Sequence, residues 1–391
     1  MTTRAAFVLQ TSILLLLLAS SAAPTPLYAT YQAEWGFSPI TVTVIFGVYA
    51  VAVLAALLVF GRLSDHVGRR PVLLVALVVQ AATMLLFALA NGVPELVVAR
   101  IIQGLATGSA VAAIGAGLVD LHQTRGAIAN AVGAMAGTAT GALGSALLVD
   151  LMPAPTQLVY LILLAAFLVQ AAGVLRMPET SARIPGARAS LRPRVAVPHA
   201  ARGALGVAAP ALIAVWALAG FYGSLGPALA HLVAGSDSTI LGGGSLFVLA
   251  AAGALSTLLL RDVSAHRLAL AGNLMLATGV ATTLAAVSAH SIVLFFAGTA
   301  ISGVGFGGGF QGALRTVVPL AGPTGRAGLI SVVYTISYLA MGLPAIIAGA
   351  LVVNSNVPQT AREFGAVVIA LAAAAFAGTI LRKDRRVAIS V

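Results

Sequence analysis

Long apolar runs separated by short polar interruptions make up most of this chain. No charged residue lies between Glu34 and Arg62, and none lies between Arg70 and Glu95. Runs of this length satisfy the requirement of a membrane-spanning helix for about 20 mainly apolar residues. The pattern predicts twelve spanning segments, at roughly 5–28, 40–60, 72–91, 95–119, 127–150, 156–176, 205–232, 239–260, 268–289, 291–317, 327–353 and 359–381.

The composition supports a membrane protein built from helices. Of the 391 residues, 60% are hydrophobic and only 8% are charged, against about 45–50% and about 25% in soluble domains. The mean hydropathy is +1.05. In lipid, only helices and closed β-barrels satisfy all their backbone polar groups, and the alternating segments of about ten residues that are typical of a barrel do not occur. We therefore predict an all-α integral membrane fold with twelve transmembrane helices.

The first apolar run also resembles a signal peptide. Leu14 to Leu18 is followed by small residues, Ser20 to Ala23, which is typical of a cleavage region. The alternative is a retained helix that is kinked at Pro24 and Pro26. We expect retention, because cleavage would leave an odd number of spans.

The basic residues indicate the orientation. With the N-terminus inside, every Lys and Arg except Arg100 and Arg362 falls on one side, so both termini are predicted to be cytoplasmic in a cytoplasmic (inner) membrane. This bias also accounts for the net charge of +11, and nucleic acid is not an expected partner. The chain has no Cys, which excludes disulfides and Cys-ligated metals.

A long polar stretch at residues 177–204 divides the chain. It places prolines among arginines, and we interpret it as a basic cytoplasmic linker between an N-terminal six-helix bundle (1–176) and a C-terminal bundle with a short tail (205–391). The halves also echo each other, because Ile102–Gly108 resembles Ile301–Gly307. Two repeats with a substrate site between them are a recurrent plan of transporters.

Two motifs resemble the major facilitator superfamily. The loop that follows the second segment reads G-R-L-S-D-H-V-G-R-R and is similar to the family signature G-x-L-a-D-r-x-G-r-r between helices 2 and 3. The matching residues are Gly61, Leu63, Asp65, Gly68, Arg69 and Arg70. His66 stands where arginine is common. Arg100, Gln103 and Gly104 resemble the helix 4 signature, whereas the antiporter signature of helix 5 lacks its proline, which is replaced by Ala142.

The resemblance implies a gating latch in this loop. Asp65 is expected to face the N-terminus of helix 11, near Gly325–Ala327, and Arg69 is expected to pair with Asp65 and Asp120. The predicted latch residues are Gly61, Asp65, Gly68, Arg69, Arg70 and Asp120. The alternative is a topology-determining loop with solvated charges. His66 is either a solvated loop residue or a pH sensor.

Arg100 is the most informative single candidate for the transport site. A charge inside an apolar helix is costly, and it normally faces a cavity or a partner. It could bind an anionic substrate group or influence proton transfer, or it could be a structural arginine that is bonded to backbone carbonyls of helix 1 or 5.

The family resemblance implies a cavity lined by helices 1, 4, 7 and 10. The predicted substrate and coupling residues are Arg100, Gln103, Tyr28, Tyr31, Trp216, Phe221, Tyr222 and Gln311. Aromatic rings and amides around one cation suit an amphipathic organic molecule. Core packing or anchoring at the lipid interface is the alternative for the aromatic residues.

The acidic residues set a limit on the mechanism. All ten fall near predicted helix ends or in loops, so no proton carrier is visible at the membrane centre. The remaining candidates are Glu34, Asp120, Asp150 and His231.

The leading prediction is a secondary active transporter of the drug- or metabolite-efflux type (a multidrug-resistance antiporter). It would export small amphipathic organic compounds in a proton-coupled cycle of alternating access, as a monomer in the lipid bilayer. The alternative is a facilitator or importer of a sugar or an organic anion. No enzyme activity, metal or cofactor is predicted. The sole lysine, Lys383, lies in the tail, so no P-loop for ATP exists.

Overall fold

The structure, a computed structural model, describes residues 1–322 and 325–389, with side chains described as far as Arg382. The described residues are almost entirely helical and contain no β-strand, which confirms the all-α prediction. The side chains of the basic tail and of Asp384 lie outside this description. Two compact units are present, one formed by Met1–Pro193 with Ser238–Phe247 and the other by Arg194–Asp237 with the described residues from Val248 onward. The predicted division at 177–204 stays a prediction.

The first unit contains nine of the described helices and the beginning of α12. They are α1 (Thr3–Ala22), α2 (Pro24–Trp35), α3 (Pro39–Phe60), α4 (Leu63–Val67), α5 (Arg69–Ala88), α6 (Val93–Leu121), α7 (Gln123–Leu151), α8 (Leu158–Val174) and α9 (Ala187–Ser190). Its buried core is formed mainly by side chains of α1, α2, α3, α5, α6 and α8.

The first predicted span is broken into α1 and α2 at Ala23. The break follows from the two prolines: Pro24 and Pro26 carry no N–H, so the carbonyls of Ser20 and Ala22 lose their helical donors. In a membrane, such freed carbonyls must find other partners. The break therefore creates hydrogen-bond acceptors inside the unit.

The second unit contains the later helices. They are α10 (His199–Ser224), α11 (Gly226–Ala234), the latter part of α12 (Thr239–Leu259), α13 (Ala265–Ala289), α14 (Ile292–Val317), a 3₁₀ turn (Val318–Leu320), α15 (Arg326–Asn354) and α16 (Val357–Ile389). The prediction of a single segment over 205–232 is wrong: α10 begins earlier, at His199, and the chain breaks at Leu225 before Pro227 starts α11.

Eleven helical stretches of the described chain are long and apolar enough to cross a membrane, with α1 and α2 counted together. The sixth predicted segment corresponds to α8, an apolar helix of 17 residues. It is shorter than the 21 residues predicted, because the chain leaves the helix at Leu175. The arrangement of twelve apolar segments agrees with the predicted fold class.

Glycines bring α13 and α14 into close contact. A methyl group on Gly272 would overlap the backbone of Gly309, and one on Gly305 would overlap the backbone of Leu276. Small residues allow membrane helices to approach this closely. The glycine strip of α14 therefore serves helix packing.

Candidate functional site

Arg100 lies fully buried in the first unit, with 0% of its surface exposed. Its Nε donates to the Tyr28 hydroxyl at 3.1 Å, and its Nη2 donates to the same oxygen at 2.5 Å. Nη1 donates to the Ser21 carbonyl and to Gln103 Oε1, both at 2.8 Å. The guanidinium thus connects α6 to the broken first span.

The break between α1 and α2 supplies several acceptors for side chains of other helices. Gln103 Nε2 donates to the Ser20 carbonyl at 3.0 Å, the group that Pro24 leaves without a helical donor. Ser145 Oγ donates to the Ala23 carbonyl at 2.6 Å. Pro24 therefore explains why Gln103 of α6 finds a free backbone acceptor in the first span.

Three aromatic rings surround the Arg100 guanidinium carbon, which lies 5.1 Å from the ring centre of Tyr49, 5.7 Å from that of Tyr28 and 6.0 Å from that of Phe87. Within the described residues, no carboxylate forms an ion pair with Arg100. Since arginine stays protonated in proteins, the centre holds a positive charge that is balanced only by dipoles and ring faces.

A second layer of aromatic side chains extends from this centre. The Tyr31 hydroxyl donates to the Tyr160 hydroxyl at 3.2 Å. The Tyr160 ring stacks on Phe87 at 5.0 Å, and Tyr31 stacks on Trp35 at 4.7 Å. Tyr28 and Tyr31 are buried in the core of the first unit, so neither is an interface anchor.

Tyr49, Phe87 and Tyr160 were not predicted. The sequence around a single aromatic residue in an apolar helix does not indicate which other helix the ring packs against. Their register relative to Arg100 appears only once the helices are packed.

The candidates of the second unit fall into two separate groups. The Trp216 ring packs against Tyr338 at 5.0 Å and Phe310 at 5.6 Å. Its indole nitrogen is buried and finds no hydrogen-bond partner in the described part of the chain. Gln311 follows Phe310 on α14 and is half-buried. Any role of this group in a substrate cavity stays a prediction.

The other group surrounds Tyr222. Its hydroxyl lies 2.9 Å from Thr299 Oγ1, and the neighbouring Phe221 ring packs against Phe364 at 4.9 Å. Both are buried. These contacts are those of packed side chains.

Arg69 forms a buried centre in the loop between α3 and α5. Its Nη1 lies 2.5 Å from Asp65 and 2.6 Å from Ser64 Oγ, and its Nε lies 3.3 Å from Asp120. The Arg69 side chain is only 8% exposed, whereas Asp65 and Asp120 are 43% and 33% exposed. Arg69 is therefore not a solvated topology signal. The predicted contact of Asp65 with the start of helix 11 stays a prediction.

Glu179 completes this loop from the stretch that follows α8. Its carboxylate accepts hydrogen bonds from the backbone N–H groups of Arg69 at 2.8 Å and Arg70 at 3.2 Å, and so it caps the N-terminus of α5. It also accepts from the N–H groups of Thr180 and Ser181, each at 3.0 Å. Burial by itself raises the pKa of Glu179, but these four backbone donors outweigh it and hold the pKa below its ordinary value.

The same stretch binds His66. Its Nδ1 lies 2.9 Å from the Ile184 carbonyl and 3.2 Å from that of Pro185. Because both neighbours are acceptors, Nδ1 carries the proton and donates. Ser181 Oγ also donates to the Asp65 carbonyl at 3.0 Å. His66 is therefore a docking contact rather than a solvated histidine, and neither it nor Glu179 could be assigned partners more than 100 residues away from local sequence.

We expect Glu179→Gln to lower the unfolding temperature at neutral pH. A lowered pKa in the folded state means that the ionised carboxylate stabilises the fold above its unfolded pKa of about 4.3, and that this stabilisation is lost as the pH falls through the folded pKa. The difference between wild type and variant should narrow as the pH falls below about 4.3 and should close once the pH lies below the lowered folded pKa of Glu179. Thermal unfolding across this range tests it. Glu363→Gln, which changes an exposed carboxylate, is the control. If the difference in unfolding temperature between wild type and Glu179→Gln stays constant with pH, the ionised Glu179 carboxylate does not stabilise the fold as we predict.

Gly68→Ala should be more damaging than Gly36→Ala. Both glycines have positive φ, +110° and +66°, where a side chain is strained by about 1–3 kcal/mol. No atom of the described residues would lie within 4 Å of a methyl group at position 36, whereas one at Gly68 would overlap the Glu179 carboxylate. The backbone of Gly68 (φ 110°, ψ 151°) is also less accessible to a residue with a side chain than the left-handed helical backbone of Gly36 (φ 66°, ψ 25°). Thermal unfolding of both variants measures the combined effect of backbone and cap, and equal losses would contradict this prediction.

The acidic side chains lie near helix ends or in loops wherever the structure describes them. Glu34, Asp120 and Asp150 are each the last residue but one of their helices, α2, α6 and α7. Glu363 lies in the second turn of α16. No carboxylate of the described residues occupies the middle of a spanning helix. Any coupling proton must therefore use a helix end or a group that is not a carboxylate.

Comparison with known proteins agrees with this architecture. Residues 11–270 match the profile of the Major Facilitator Superfamily. The fold is similar to that of a bacterial homologue of the human lysosomal transporter Spinster, with a TM-score of 0.73 and 14% sequence identity over 96% of this chain and 97% of the other. A search of curated protein sequences found no match.

The family match covers more than half of the chain, and the structural likeness covers nearly all of it. Together they confirm the resemblance that the loop and helix 4 motifs indicate. This chain belongs to the Major Facilitator Superfamily: it is a multi-pass membrane transporter, not an enzyme, that moves a small molecule by alternating access.

Proposed function

We propose that this transporter exports small amphipathic organic compounds and that neutral or anionic compounds are favoured over cations. The observation that carries the proposal is the buried Arg100, which has no carboxylate partner among the described residues. An uncompensated cation in a low-dielectric site repels organic cations and attracts anionic groups.

The surroundings of Arg100 support the amphipathic character of the substrate. Rings of Tyr28, Tyr49 and Phe87 present apolar faces around the guanidinium, while Gln103 adds an amide. Apolar walls with a few placed polar groups are typical of sites for organic molecules. Trp216 and Gln311 of the second unit are proposed to contribute further contacts during the cycle.

We further propose that the protein acts as a monomer and that export is coupled to protons. We place it in a cytoplasmic membrane with both termini on the cytoplasmic side. The asymmetry of the basic residues supports this orientation. The network of Arg69, Asp65 and Asp120 then lies on the cytoplasmic side and acts as the latch of the inner gate. Glu179 positions it by holding the first turn of α5.

Proteoliposomes test the proposal directly. Purified protein is reconstituted with a pH-sensitive dye inside, and candidate anionic, neutral and cationic amphipathic compounds are offered with and without a pH gradient. We expect uptake or release of an anionic or neutral compound together with opposite proton movement. Transport restricted to organic cations would contradict the substrate class.

A facilitator of a sugar or organic anion is the second candidate. The position of every described carboxylate near a helix end or in a loop favours it, because no proton carrier is then present at mid-membrane depth. Transport without proton movement, equal in both directions, would establish this function instead.

A further inference from the structure

A cavity of about 630 Å³ lies within the second unit, between α10, α13, α14 and α16. Its size falls in the range of roughly 300–1,000 Å³ that is typical of sites for small organic ligands. Small apolar side chains form most of its wall, including Ala204, Ala208, Ala211, Ala269 and Ala313. An apolar molecular body would therefore fit along it.

One end of this cavity is basic. His266 at the start of α13, Arg315 near the end of α14 and Arg382 on α16 all line it. Arg315 Nη1 is buried and has no hydrogen-bond partner among the described residues. No carboxylate occurs among the described lining residues. A buried guanidinium donor without a partner is suited to a carboxylate or phosphate group.

The deeper part of the cavity contains an unpartnered acceptor. Asn273 is 2% exposed and lines the cavity. Within the part of the chain that the structure describes, its Oδ1 has no hydrogen-bond partner. A methyl group on Gly309 of α14 would lie 3.8 Å from this oxygen, so Asn273 is level with Gly309. Arg315 lies six residues further along α14, which corresponds to about 9 Å of helix.

From this geometry we propose that the cavity binds an elongated organic anion. Its acidic group accepts from Arg315, its apolar body follows the alanine wall, and a hydroxyl group near its other end donates to Asn273 Oδ1. The site thus satisfies an unpartnered donor and an unpartnered acceptor with one molecule. It lies within one unit and does not depend on the proposed transport of other compounds.

Binding to the purified full-length protein in a neutral detergent tests the site. The probes are 10-hydroxydecanoate, decanoate, which lacks the hydroxyl, and acetate, which lacks the apolar body. We expect 10-hydroxydecanoate to bind most tightly, decanoate about tenfold more weakly, and acetate not measurably.

Variants separate the two ends. Arg315→Gln should weaken 10-hydroxydecanoate binding about tenfold or more, whereas Arg267→Gln, an exposed arginine outside the lining, should leave it unchanged. Asn273→Leu should bind decanoate normally but lose the preference for the hydroxylated probe, which also shows that this variant is folded. Wild-type affinity in Arg315→Gln, an unchanged preference in Asn273→Leu, or tight acetate binding would overturn the proposal.

Discussion

Arg100→Met should abolish transport while the protein still folds. The variant removes the guanidinium donors to Ser21, Gln103 and Tyr28, and hydrogen bonds to a charged group contribute about 1.5–3 kcal/mol each. Removal of a buried charge, which is costly to desolvate, offsets part of this lost stabilisation of the fold. In transport, however, methionine supplies no positive charge in place of the guanidinium. We expect a fall in transport rate of about a hundredfold or more, measured in proteoliposomes beside thermal unfolding.

Arg100→Lys is the matched variant. Lysine keeps the charge but lacks the planar fork that reaches the Ser21 carbonyl and the Tyr28 hydroxyl together. We expect it to retain measurable transport of anionic compounds. Wild-type transport by Arg100→Met would show instead that the arginine is only a packing element of α6.

Arg69→Ala should reduce transport about tenfold with normal membrane insertion. The substitution leaves Asp65 and Asp120 without the cation that joins α4 to α6. Both carboxylates are partly exposed, so solvent screens their charges. We therefore expect the substitution to affect the transport rate more than the stability of the fold. Initial transport rates, normalised to the amount of inserted protein, measure it. Arg125→Ala is the control, because Arg125 is an exposed arginine at the start of α7 and lies outside the predicted latch.

A double-mutant cycle with Asp65→Asn separates the latch from independent charge effects. Asp65→Asn alone should also lower transport. If the two residues act as one latch, combining the substitutions should add little to the effect of Arg69→Ala. Fully additive losses, or normal transport by either single variant, would contradict the latch.

The extent of the spanning helices was largely predictable from sequence. The segment predicted at 327–353 is α15, Arg326–Asn354, because lipid requires continuous helical hydrogen bonding over each apolar run. The division of α10 from α11 was missed. No proline stands at Leu225 itself, and Gly226 and Pro227 lie inside a run that is apolar throughout.

The candidate site was predictable only in part. Arg100 and Gln103 were identifiable because polar groups are rare within apolar helices. Their partners were not, since Ser21 contributes a backbone carbonyl and Tyr49 a ring face. Glu179 was passed over because its partners at the start of α5 are 109 and 110 residues away.

The break at Ala23 has a consequence for how this protein tolerates sequence drift. The acceptors that hold Gln103 and Arg100 are peptide carbonyls of Ser20 and Ser21, so they survive a change of either side chain. The missing N–H of Pro24 is what leaves the Ser20 carbonyl free to accept from Gln103. The Ser20 hydroxyl has a separate role, since it accepts from Gln80 Nε2 at 2.9 Å. The Gln103 contact therefore depends on the identity of Pro24, a position that a sequence profile of polar residues would overlook.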